Sequence, residues 1–110
     1  MQYLKFLHDF NLRPIPYHRL LTQMTGRLTS GVLLAFILER MDMEGTDKLQ
    51  IENFDVMAAT GLTSSELRTA KNILKSMPWM TITREGLPPC TCYQIDWELF
   101  RNHVRKLERP

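Results

Sequence analysis

Residues 60–77 read TGLTSSELRTAKNILKSM, and the fold turns on how the first four of them are taken. A glycine tolerates the positive φ that ends a helix abruptly, so Gly61 predicts a stop. Leu62 then supplies an apolar plug, and the Thr63 hydroxyl caps a new helix. Glu66, three residues on, completes a capping box with Thr63. The new helix runs from Thr63 to about Met77, where Pro78 prevents continuation. At about 100° per residue, Leu67, Ala70, Leu74 and Met77 share one side. Ser65, Arg68, Thr69 and Asn72 lie roughly opposite, with Lys71 and Lys75 on the flanks. Val56 before the glycine, and Leu67 and Ala70 after it, occupy the inward positions of two helices that cross steeply at such a turn.

Working upstream, ENFDVMAAT (52–60) predicts a short helix with Phe54, Val56 or Met57, and Ala58 turned inward. KLQI (48–51) alternates polar and apolar, as a short strand does. Before it, Val32, Leu33, Leu34, Phe36, Ile37, Leu38 and Met41 make a helix apolar on most sides, which predicts a central core element. Thr29 or Ser30 is placed to cap it, and EGTD (44–47) to follow it as a loop. Pro16 suits the first turn of an earlier helix, YHRLLTQMT, that Gly26 closes. The first dozen residues, rich in Tyr3, Leu4, Phe6, Leu7, Phe10 and Leu12, predict a short helix or an arm against the body.

Downstream the period changes from helix to strand. WMTITRE (79–85) alternates, with Trp79, Thr81 and Thr83 on one face and Met80 and Ile82 on the other. GLPP is a turn, and CTCYQID (90–96) pairs back in a hairpin of about five residues per arm. WELFRNHVRKLER (97–109) closes the chain as an amphipathic helix with Trp97, Leu99 or Phe100, Val104 and Leu107 inward. Arg101, Arg105, Lys106 and Arg109 give it a basic outer side, read first as a solvated end and otherwise as a contact for DNA or an acidic partner. Trp79 and Trp97 bracket the hairpin and are expected to seal it against the helices. Helices around one terminal hairpin, mainly α with a small β element, are the winged helix-turn-helix arrangement of the α+β class. The expectation is a single domain over 1–110 with its core at about 14–107.

Composition narrows the chemistry. The chain has 110 residues, 44 % hydrophobic and 24 % charged, with net charge +2. That bias is mild, so any anionic partner must be argued from where the charges sit. Lys5, His8 and Asp9 interrupt the apolar start, so no signal peptide is expected. The longest apolar run, Val32 to Leu38, is too short for a bilayer. A cytoplasmic protein without membrane contact is expected. Cys90 and Cys92, with His8, His18 and His103, match no zinc spacing, and C-x-C is too close for an unstrained disulfide. No G-x-S-x-G, Walker or glycine-rich phosphate loop occurs. Neither metal, cofactor nor enzyme activity is expected.

The outward face of residues 63–77 carries the functional reading. Arg, Asn, Ser and Thr are the side chains that bond base edges in the major groove, and lysines suit phosphates. No acidic residue occurs between Arg68 and Arg84. Ser64, Ser65, Arg68, Thr69, Lys71, Asn72 and Lys75 are therefore candidates to contact double-stranded DNA. Arg84 joins them near the hairpin tip, within reach of backbone or minor groove, with Glu85 beside it opposing. Ser64 and the N–H groups at that helix start suit a phosphate.

PIPYHRLLTQMTGRLTSGVLLAFILERMD, followed by TGLTSSELRTAKNILKSMPWMTITREGLPPCTCYQID, resembles the winged-helix domain of phage and plasmid replication proteins and related mobile-element proteins. Thr25–Gly26, Gly61–Leu62–Thr63, Ala70–Lys71, and Gly86 with Pro88 stand at the family's matching places, over roughly residues 14 to 100. KSMPWM replaces a glycine usual at the end of the second helix, and Glu39–Arg40 replaces an aromatic pair. The resemblance implies DNA binding in replication initiation or transcription regulation. One module offers a small interface, so a homodimer on a two-fold site is expected, joined through the N-terminal arm or the last helix. The competing class is a protein-interaction adaptor that recruits replication machinery or blocks a host complex; the low net charge is its support.

Overall fold

The computed structural model describes residues 2–108. Its elements run α1 (Gln2–Asp9), α2 (Arg19–Thr25), α3 (Leu28–Glu44), β1 (Lys48–Ile51), α4 (Asn53–Thr60), α5 (Ser64–Lys75), β2 (Met80–Glu85), β3 (Cys90–Ile95) and α6 (Trp97–Glu108). The class is mixed α+β, with six helices and one three-stranded antiparallel sheet among the described residues. Arg109 lies outside them. No single described helix is long and apolar enough to cross a membrane.

Helix α3 forms the centre because almost every side of it is apolar. Leu33, Leu34 and Ile37 are wholly buried, and Ala35, Phe36 and Met41 nearly so. Each large side chain buried this way contributes about 1.5–3 kcal/mol. Two helix starts differ from the sequence reading. Helix α2 begins at Arg19, because His18 is extended and its Nδ1 accepts the Leu20 N–H at 3.0 Å. Pro16 therefore precedes the cap instead of opening the helix. Helix α3 begins at Leu28 with Arg27 as an uncapped start, so Thr29 and Ser30 lie inside it and Ser30 is buried. The cause is the tight joint with α2: Gly26 takes φ 80°, and the single proton of the Thr25 hydroxyl is shared between the carbonyls of Leu21, at 2.9 Å, and Arg27, at 3.2 Å. Gly31 permits the close crossing, since a Cβ there would stand 2.5 Å from Thr22 Oγ1 and 2.9 Å from Thr22 N.

Helix α4 also corrects an expectation. Its inward stripe is Asn53, Val56, Met57 and Thr60, while Phe54 is 76 % exposed and Ala58 is exposed. Phe54 and Ala58, four apart, share the far side. The turn after α4 follows the sequence reading closely. Gly61 takes φ 78°, Leu62 is buried, and the capping box closes. Glu66 N–H donates to Thr63 Oγ1 at 3.1 Å, and Thr63 N–H to Glu66 Oε1 at 2.9 Å. Leu67, Ala70 and Leu74 then seat α5 against α3.

The sheet has the order β1-β3-β2. Register pairs Leu49 with Tyr93, Ile51 with Thr91, Met80 with Ile95, Ile82 with Tyr93 and Arg84 with Thr91. One face, holding Leu49, Ile51, Met80, Ile82, Tyr93 and Ile95, closes the core. Thr81, Thr83, Glu85, Cys90 and Cys92 alternate onto the other. Cys92 is only 2 % exposed there, beneath a 3.4 Å ion pair between Lys48 and Glu85. Both thiols are free. Helix α6, capped where Asp96 Oδ1 accepts the N–H groups of Glu98 and Leu99, packs beside α2 and lays Phe100 and Val104 against the core. Trp79 is buried there: its ring meets Phe100 edge-on at 5.0 Å, and its Nε1 donates to His103 Nδ1 at 2.8 Å.

Candidate functional site

Beyond the end of the core, α5 and the hairpin diverge and leave an open cleft of about 310 Å³. Arg68, Lys71, Asn72 and Lys75 line one wall; Ile82, Arg84 and Thr91 line the other. The α5 residues recur at helical spacing, so they make a single stripe, turned about a quarter-turn from the Leu67–Ala70–Leu74 stripe that faces α3. Four cations meet here, and no carboxylate belongs to the lining among the described residues.

Register explains how Arg84 arrives. Alternation places it with Met80 and Ile82, on the helix side of the sheet, one pair past the last apolar residue. Its side chain folds back over the hairpin: Nη1 donates to Thr91 Oγ1 at 3.2 Å and Nη2 to the Pro89 carbonyl at 3.2 Å. Thr91 Oγ1 donates in turn to Asn53 Oδ1 at 3.0 Å, and Lys71 Nζ donates to the same oxygen at 3.1 Å. One chain of hydrogen bonds thus runs from β2 through β3 and α4 to α5. Burial, and then the nearby Arg84 charge, hold the Lys71 ammonium below the usual lysine range.

Glu85 does not offset Arg84. It lies on the opposite face of the sheet, where its carboxylate accepts Thr83 Oγ1 at 2.8 Å and Lys48 Nζ at 3.4 Å. Hydrogen bonds from Thr83, Cys92 and Lys48 lower its pKa. Nor does Glu66 enter the cleft, because its side chain is held in the capping box.

Of the residues singled out from sequence, the structure gathers Arg68, Lys71, Asn72, Lys75 and Arg84 in one cleft. Ser64, Ser65 and Thr69 stand apart from it, the serines exposed in the first turn of α5 and Thr69 half-buried farther along. The α5 N-terminus is partly occupied by its own chain, since Glu66 N–H is already bonded to Thr63. Arg84 lies against the helix side of the hairpin instead of reaching out from its tip, where Leu87 is fully exposed. Asn53 and Thr91 are the members the sequence reading passed over. Among the described residues, no group of three or more His, Cys, Asp or Glu side chains stands together to hold a metal. No family model, curated protein or solved structure matches the chain.

Proposed function

We propose that the chain is a winged helix-turn-helix module that binds double-stranded DNA. In this reading α5 enters the major groove and the β2–β3 hairpin is the wing beside it. The observation that carries it is the cleft with four cations and no carboxylate, built between the two elements that such a module lays on DNA. Arg68 and Asn72 supply donors and acceptors matched to base edges, and Lys71, Lys75 and Arg84 suit phosphates. Ser64, Ser65 and Thr69 extend the same contact along the α5 surface. The family resemblance alone favours replication initiation or transcription regulation in a mobile element as the setting.

A homodimer on a two-fold site completes the reading. Two exposed apolar surfaces are open to a second copy: Tyr3 and Phe6 on α1 with Phe10 just past its end, and Leu99 and Leu107 on α6. The aromatic row on α1 is also the observation that favours the adaptor reading, since it suits a replication or host protein partner. Mobility shift of a random-sequence duplex over a salt series separates the two. Binding at low salt that weakens steeply as salt rises is the expected result. Absence of binding at low salt overturns the DNA reading.

A further inference from the structure

A half-buried lysine ordinarily faces a carboxylate, whose charge offsets the loss of water. Lys71 instead meets the neutral Oδ1 of Asn53, which it shares with Thr91. Thr91 accepts Arg84 in the same chain, so two cations of different elements are fixed through one uncharged amide. An aspartate would have nearly the same shape. At the first position of α4 it would also be favoured by the helix dipole. Folding stability therefore prefers Asp at this place, and the amide leaves both positive charges unmatched. Each cation keeps donors in hand: the Lys71 ammonium has three and uses one here, and the Arg84 guanidinium has five and uses two.

We propose that Lys71 and Arg84 form a seat for one phosphate group of a DNA backbone. Asn53 is its positioning residue, aligning both cations without neutralising them. A phosphate supplies acceptor oxygens for the planar fork of Arg84 and for the compact charge of Lys71. The inference rests on the DNA reading only for the source of the phosphate.

Asn53→Asp tests it, because stability and binding should move in opposite directions. The variant should melt no lower than the wild type, yet bind random duplex roughly tenfold more weakly at low salt. Its slope of log affinity against log salt should be shallower by about one. Lys71→Ala should give the same shallower slope with Asn53 in place. Unchanged affinity and slope in Asn53→Asp overturn the proposal. A second arm titrates inorganic phosphate into isotope-labelled protein while the amide signals of Lys71, Arg84 and Thr91 are followed. Shifts in the wild type that vanish in Asn53→Asp support the seat, even if duplex DNA fails to bind and the DNA reading falls. Duplex binding that leaves these signals unmoved removes the seat and keeps the DNA reading.

Discussion

Lys71 is the side chain whose surroundings say most. Its pKa is lowered by burial and then by Arg84, so the unfolded chain holds that proton more tightly than the folded one. Folding stability should accordingly rise as pH climbs through the folded Lys71 pKa toward the ordinary lysine value of 10.5, and level off above it. An anion in the cleft acts the other way and restores the proton. Side-chain amine NMR should therefore place the Lys71 midpoint below 10.5 in the free protein and move it upward on adding duplex DNA. A free-protein midpoint at or above 10.5 would show that the charge is already compensated. The sequence made Lys71 visible as a flanking cation of a helix. It did not reveal Asn53, 18 residues earlier, because that contact depends on how α4 docks beside the sheet. Arg84 was readable in part: the alternation that turns Met80 and Ile82 inward extends to residue 84 and so aims it at α5.

At the scale of elements, the best-read feature is the joint between α4 and α5, because its chemistry is local. Glycine freedom, an apolar plug and a reciprocal cap all act within six residues, Gly61 to Glu66. Thr63→Ala should cost about 1 kcal/mol through the lost cap. It should show as a lower urea midpoint with an unchanged slope. The joint between α2 and α3 departs from its sequence pattern for the opposite reason. Which residue starts α3 is decided by contact with α2, and a capping hydroxyl at Thr29 or Ser30 carries no information about that contact. Gly31 marks it in the structure. Alanine there gains about 1 kcal/mol of helix propensity, but its methyl meets the Thr22 backbone. Gly31→Ala should therefore be net destabilising by about 1–3 kcal/mol, as overpacked sites are. A raised urea midpoint would show that the two helices can part without loss.

For the whole molecule, the net charge of +2 understates what a partner meets. Four of the cations crowd one cleft, while Glu66 and Glu85 are turned aside into a cap and an ion pair. The division of labour in that cleft gives a measurable contrast. Arg68→Ala and Asn72→Ala should each weaken a site selected from a random duplex library by about 1–3 kcal/mol, and random duplex by less. Equal losses on both would assign these side chains to the backbone alone. The hairpin adds a practical consequence. Cys92 lies shielded under the Lys48–Glu85 pair, and burial pushes its thiol pKa up, whereas Cys90 is half-buried near the hairpin turn. A brief maleimide reaction should thus attach one fluorophore, at Cys90. Alternation puts that dye on the sheet face away from the cleft, so the native chain carries its own reporter on the hairpin without a single engineered residue.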